Sequence, residues 1–188
     1  MGIIEASAIP LASVATATLS TLSSPSTTIT ASTLWSDQPA LIMVVRRPGC
    51  KLCRAQALEL AALRPRLKAL NIRLAAVSHQ TDSIEEFARD YFNKDNADGA
   101  TENVWIDSSR AFYKALGEGG KERERNTILG LFSWKMLRNN SGADKLGARG
   151  NLSGEGGIMG GVMLVGKGDA GVKWAFQEVD FGDRAPQE

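Results

Sequence analysis

Soft metal ligands are scarce in this chain: its 188 residues hold two cysteines and one histidine. A closed structural zinc site needs four ligands, usually Cys or His. A self-contained Cys/His site is therefore excluded, although a carboxylate could complete one or two chains could share one. Two cysteines are also too few for the disulfide framework of a small secreted domain, so Cys50 and Cys53 act as a local pair. Early positive charge is missing as well. Residues 1–33 are rich in Ser, Thr and Ala, as an organelle transit peptide is, yet the first basic residue is Arg46 and the only charge before Asp37 is Glu5. Transit and secretory leaders both need early cations. Long apolar runs are absent: the longest, Ala40 to Val45, falls far short of the roughly 20 residues that span a bilayer. Charge of one sign does not dominate, with 22 Lys and Arg against 21 Asp and Glu, so nucleic acid is not expected as a partner. These absences predict a cytoplasmic protein with no membrane span, in which the sequons at Asn139 and Asn151 go unglycosylated.

What remains is the length and composition of one ordinary globular domain, 43% hydrophobic and 23% charged. Val14 to Thr33 is small and β-branched, broken at Pro25, and predicts a short strand or an extended arm. Ala40 to Arg46 reads as a strand buried on both faces, ended by Pro48-Gly49. Cys50 to Leu70 then carries Leu52, Leu58, Ala62, Leu63, Leu67 and Leu70 at helical spacing, with Pro65 set to kink or split it. Ile72 to Val77 predicts a second strand, and Asp82 to Phe92 a second helix capped by Asp82 or Thr81. This β-α-β-α order implies a parallel pair with a right-handed crossover. Asn93 to Glu102 reads as a surface loop, Val104 to Ile106 as a short strand, and a helix capped by Asp107 or Ser108 should run to Leu116 and stop at Gly117. Lys121 to Arg125 alternates in charge, as a solvated face does. Ile128 to Leu137 predicts a buried helix, and the glycine-rich Asn139 to Gly161 a loop. Two strands, Val162 to Val165 and Val172 to Glu178, close the chain around a hairpin turn at Gly166 to Gly171. The order matches a thioredoxin-like α/β fold with a central mixed β-sheet flanked by helices, preceded by an extended segment over residues 1–33.

The sharpest chemical feature is Cys50-Lys51-Leu52-Cys53, where a buried strand turns into a helix. Unsatisfied N–H donors and the positive dipole end at a helix N-terminus stabilise a thiolate. Arg46, Arg47, Lys51 and Arg54 add four cations within four residues of Cys50. Each favours ionisation, which makes Cys50 the expected nucleophile and Cys53, one turn on, the resolving thiol. The plainer alternative is a structural pair, either two reduced thiols filling core space or half of a zinc site shared between chains. GKGDAG (Gly166 to Gly171) matches GxGxxG, but VKWAFQE after it reads as a strand, so a turn is expected there rather than a nucleotide site. His79 follows the second strand and is more simply a loop histidine than a proton donor. Ser108 and Ser109 lack a G-x-S-x-G context, and Phe132 and Trp134 suit core better than a ligand box.

Three stretches extend this reading: LWSDQPALIMVVRRPGCKLCRAQA (Leu34 to Ala57), DSSRAFYKALG (Asp107 to Gly117), and GNLSGEGGIMGGVMLVGKG with FGDR (Gly150 to Gly168, Phe181 to Arg184). Through them the chain resembles the peroxiredoxin-like 2 family of redox-regulatory proteins, AhpC/TSA-type thioredoxin-like antioxidant proteins related to prostamide/prostaglandin F synthase. The resemblance implies a thioredoxin fold, Cys50 and Cys53 as the redox-active pair, an antioxidant or redox-regulatory role and a mostly cytoplasmic location. The chain departs from related patterns at three points. Met43 and Arg47 stand where the peroxiredoxin P-x-x-x-T-x-x-C pattern has Pro and Thr. Gly160-Gly161 occupies the place of the thioredoxin cis-proline. The terminal helix that relatives carry after FGD is missing, which predicts an uncovered sheet face.

The function expected is thiol-disulfide redox chemistry. The Cys50 thiolate attacks a peroxide or disulfide, Cys53 resolves, and an external thioredoxin or glutathione system restores the pair, with no bound cofactor. The alternatives are NADPH-linked reduction of a lipid endoperoxide, for which the apolar Ile128 to Leu137 is the only hint of a pocket, a non-enzymatic redox-regulated interaction protein, and a structural thioredoxin-fold adaptor.

Overall fold

In the computed structural model, which describes residues 3–94, 103–117, 120–124, 141–180 and 183–185, the chain builds one eight-stranded mixed sheet. Its strands are β1 (Ile3–Ile4), β2 (Thr18–Thr21), β3 (Thr28–Thr30), β4 (Ala40–Val45), β5 (Arg73–Ser78), β6 (Val104–Ile106), β7 (Gly161–Val165) and β8 (Val172–Gln177), in the spatial order β1-β8-β7-β4-β5-β6-β2-β3. The helices are α1 (Leu11–Ala15), α2 (Lys51–Ala62), α3 (Arg64–Ala69), α4 (Ile84–Phe87) and α5 (Ala111–Leu116). β4 and β5 pair in parallel with α2 and α3 between them, as expected, while β4 and β7 pair antiparallel.

β4 shows why a continuous apolar run belongs at the sheet centre. Side chains of a strand alternate between faces, and here both faces are dry. Ala40, Ile42 and Val44 join a core with Val14, Leu34, Phe112 and Leu116. Met43 and Val45 join a second core with Leu52, Cys53, Leu60, Phe87 and Phe92. Both faces of the central strands are therefore covered, contrary to the expected open face. α1 and α5 lie on one side, α2 and α4 on the other.

The N-terminal stretch is folded in rather than extended away. β2 and β3 form a hairpin whose first strand pairs with β6, and β1 pairs with β8 at the opposite edge. Val14, Leu19, Ala31 and Leu34 share the core of β4, so no boundary at residue 33 separates an arm from the domain. The long helix splits where Pro65 required: α2 ends at Ala62 and Pro65 sits in the first turn of α3, where its missing N–H leaves no bond unmade.

Capping differs from expectation. Ser83, in the left-handed region at φ 58°, precedes α4 without a side-chain cap, because its hydroxyl accepts from Asn151 Nδ2 at 3.1 Å. α4 continues into a π-helical turn at Ala88–Phe92. Arg110 precedes α5 in the same left-handed conformation, while Asp107 Oδ2 accepts the Phe112 N–H at 3.0 Å. Asp107 thus satisfies a first-turn amide from three residues upstream of the cap.

In the glycine-rich stretch expected as loop, residues 141–145 form a helical turn. The turn between β7 and β8 is as expected, with the Gly166 N–H donating to Gly171 O at 2.8 Å and β8 following as a strand. The segment Ile128 to Leu137 and nearly all of Asn93 to Glu102 lie outside the described residues. Among the described residues no helix is long and apolar enough to cross a membrane.

Candidate active site

Pro48 and Gly49 end β4, and Cys50 takes the N-cap position of α2 in an extended conformation (φ −74°, ψ 127°). Its N–H donates to Arg47 O at 3.0 Å, and its own carbonyl accepts the Arg54 N–H at 3.0 Å. Cys53 lies one turn into the helix. Both cysteines are free thiols and buried, 6% and 2% exposed.

The two sulfurs are inequivalent. The Cys53 thiol donates to the Cys50 sulfur, which holds Cys50 well below the ordinary thiol range against the opposing effect of burial, and the Arg46 charge adds to the stabilisation. Cys53 is driven the other way by that same hydrogen bond and by burial. The two shifts run in opposite senses, so Cys50 is the thiol more readily ionised and Cys53 the one that keeps its proton longer.

The four cations around the motif separate into different tasks. Arg46 Nη2 donates to Cys50 Sγ at 2.7 Å, Nη1 donates to Gly156 O at 3.3 Å, and Nε lies 3.3 Å from Glu178 Oε2. Arg54 is buried and turned away from the sulfurs. It donates to Pro48 O at 2.8 Å, to Arg149 O at 2.9 Å, to Tyr91 Oη at 3.2 Å, and in parallel to both oxygens of Glu86 at 2.9 and 2.6 Å. It clamps the loop that carries Cys50 rather than touching the thiolate. Lys51 pairs with Asp144 at 2.7 Å on the surface. Arg47 makes no hydrogen bond to either sulfur, and its Nε is buried without a partner.

The glycine-rich segment expected as a plain loop is the clasp of this site. The Asn151 N–H donates to Gly49 O at 2.8 Å. A side chain at Gly49 would collide with Asn151 Oδ1, which would have to swing aside. Gln80, at the end of β5, ties the two loops together. Its Nε2 donates to Arg46 O at 3.1 Å and Glu155 O at 2.7 Å, while its Oε1 accepts the Glu155 N–H at 2.6 Å. At Gly160-Gly161, where a cis-proline is the point of comparison, no described peptide bond is cis. A side chain at Gly160 would strike the Val44 carbonyl oxygen.

Sequence reasoning missed Glu178, together with Gln80 and the clasp residue Asn151, all of which the structure brings to the site. Glu178 is 4% exposed, directly follows β8, and its carboxyl is pushed up to about 7 by burial, against the pull of Arg46. No local pattern marks it, since an acid ending a strand is ordinary. Asn151 stood inside the quoted GNLSGEG segment and could have been found there. His79 packs edge-on against Tyr113 at 4.7 Å, with Nε2 3.9 Å from Glu155, and approaches neither sulfur. Burial and Arg110 lower its pKa, which leaves the ring neutral at pH 7. No group of three or more metal-ligating side chains exists among the described residues.

Comparison with known proteins gives the family of the chain. Residues 59–180 match the model of the AhpC/TSA antioxidant enzyme family, a match that begins just downstream of the two cysteines. Peroxiredoxin-like 2A of Rattus norvegicus is 38% identical over 168 residues, covering 88% of this chain and 67% of its own. Peroxiredoxin-like 2A of Danio rerio is 34% identical over 176 residues, 93% and 76% of the two chains. This chain belongs to the AhpC/TSA antioxidant enzyme family, in its peroxiredoxin-like 2 branch. Solved structures share the fold. The bacterioferritin comigratory protein of Xanthomonas campestris superposes with a TM-score of 0.56 at 15% identity, covering 96% of this chain and 89% of its own. A variant of peroxiredoxin Q from the same organism gives 0.57 at 16% identity, covering 95% and 88%. The family therefore carries the redox role in its coarse form, and the peroxiredoxin-like fold is the scaffold that presents Cys50 and Cys53.

Proposed function

We propose that this protein is a thiol-disulfide redox protein with antioxidant or redox-regulatory activity, in which Cys50 is the nucleophile and Cys53 the resolving thiol. The observation that carries the reading is the 2.7 Å bond from Arg46 to Cys50 Sγ. A guanidinium placed there stabilises an anionic sulfur, and the thiolate is the nucleophilic form of cysteine.

For a peroxide ROOH, the thiolate attacks one oxygen and the O–O bond breaks. The departing RO⁻ takes a proton from solvent to give ROH, leaving Cys50–SOH. The Cys53 sulfur then displaces hydroxide, its own proton leaves with that hydroxide as water, and a Cys50–Cys53 disulfide remains. An external dithiol, or two glutathiones, supplies two electrons and two protons to restore the thiols. For a disulfide substrate, Cys50 displaces one sulfur and Cys53 resolves the mixed disulfide in the same way. The burial of Cys50 favours a small peroxide over a folded disulfide protein as the first substrate. The expected compartment is the cytoplasm, where thiol reductants keep such a pair reduced.

The test uses the two single variants. Cys50→Ser abolishes peroxide-dependent thiol loss, and Cys53→Ser leaves a sulfenate or mixed disulfide on Cys50 that dimedone or mass spectrometry traps. Identical behaviour of the two variants overturns the assigned roles. In the unaltered protein the pair titrates reversibly between about −300 and −120 mV. A pair that forms no intramolecular disulfide across that range is structural.

A further inference from the structure

The redox steps above leave Glu178 without a task, although it is buried beside the reacting pair. Its backbone N–H donates to Gly160 O at 3.0 Å, extending the β7–β8 ladder, and its Oε2 accepts the Gly160 N–H at 3.4 Å and lies 3.3 Å from Arg46 Nε. The same guanidinium donates to Cys50 Sγ. One buried cation is therefore shared by two groups that can each become an anion. Building on the thiol-redox reading, we propose that Glu178 is a positioning residue that holds Arg46 against Cys50 and changes its protonation with the redox state of the pair: its carboxyl is protonated while Cys50 is a thiolate and ionised once Cys50 is in the disulfide.

The reason is charge balance in a site with little water. A buried charge persists when it is paired, and an uncompensated one costs several kcal/mol. In the reduced protein the thiolate takes up the Arg46 charge, and a second anion on the same guanidinium is neutralised by a proton. Oxidation forms the S–S bond and removes the sulfur's charge, so Arg46 is left to pair with an ionised Glu178. The groups that face Glu178 support this ordering. Burial raises its pKa most, Arg46 and the Gly160 N–H oppose, and Cys50 and Asp183 raise it further. Asp183 is itself held by the Val179 and Asp180 amides at 3.0 and 2.9 Å.

The balanced step is disulfide plus Glu178 carboxylate plus two electrons and two protons, giving Cys50 thiolate, Cys53 thiol and Glu178 carboxylic acid. A reducing dithiol supplies both electrons and both protons as its own sulfurs join. One of those protons ends on Cys53 and the other on Glu178.

The experiment measures the reduction potential of the pair against pH, from 5 to 8, with a dithiothreitol redox couple in the unaltered protein and in Glu178→Gln. Below about pH 7 the reduction equilibrium of the unaltered protein changes by an extra factor of about ten per pH unit relative to the variant, about 30 mV for a two-electron couple. Above that range the two curves run parallel. Equal slopes throughout overturn the coupling while leaving the redox reading intact, whereas failure to form any reversible disulfide overturns the redox reading itself. A second readout needs no substitution. In the redox-difference infrared spectrum of the unaltered protein at pH 6, a protonated-carboxyl band grows on reduction, and its absence overturns the proposal.

Discussion

Arg46 and Cys50 face each other across the turn between β4 and α2, with Nη2 donating to Sγ at 2.7 Å, while Arg47, adjacent in sequence, makes no hydrogen bond to either sulfur. Four cations close in sequence therefore reduce to one cation in contact, and Coulomb attraction weakens with distance and with solvent screening. The chemistry of the site rests on this difference between neighbours.

Arg46→Ala should displace the alkylation profile of Cys50 to higher pH. A hydrogen bond to a charged group contributes about 1.5–3 kcal/mol, so the rate on the acid limb falls by about ten- to a hundredfold. Arg47→Ala leaves the profile nearly in place. Iodoacetamide rates against pH for both variants check this, and equal displacement by the two would remove the contact from the explanation.

Arg54 anchors the Cys50 loop with five hydrogen bonds from a guanidinium whose side chain is 2% exposed. Lysine cannot reproduce its forked geometry. Arg54→Lys should lose about 3 kcal/mol of stability, read from urea unfolding. A loss well under 1 kcal/mol would show that the clamp is dispensable.

Stability of the reduced protein should carry the signature of Glu178. Its carboxyl ionises near 7 in the folded chain against 4.5 ordinarily, so between those values the folded state holds a proton that the unfolded state has lost. This contribution is fully present below about 4.5 and disappears as pH rises to about 7, on the order of 3 kcal/mol in all. Cys50, with its lowered pKa, acts in the opposite sense, contributing stability that grows as pH rises above its folded value. Comparing the unaltered protein with Glu178→Gln by urea unfolding at pH 5 and 7.5, with Cys50→Ser as the common background, removes the thiol's share. A difference independent of pH would contradict the raised carboxyl.

Gly160→Ala tests the close approach of β7 to β4. The added methyl strikes the Val44 carbonyl oxygen and crowds the Arg46 backbone nitrogen. Overpacking of this kind costs about 1–3 kcal/mol, and it should also slow Cys50 alkylation by moving Arg46. Unchanged melting and unchanged alkylation would together show that the strands yield freely.

The amino-acid sequence by itself determined the elements whose signals are local. A six-residue apolar run ended by Pro48-Gly49 makes β4, helical spacing with Pro65 makes α2 and α3, and a glycine-bounded turn makes the β7–β8 hairpin, because each depends on a backbone period and its breakers. The CxxC motif at a strand-to-helix junction was legible for the same reason. The tertiary structure alone decided that Val14 to Thr33 folds into the sheet, that Arg46 rather than Arg47 reaches the thiol, that Asn151 clasps Gly49 and that Glu178 pairs with Arg46. These depend on strand register and on groups far apart in the chain meeting in a buried space, where the free energy of a charge is set by its neighbours and not by its position in sequence.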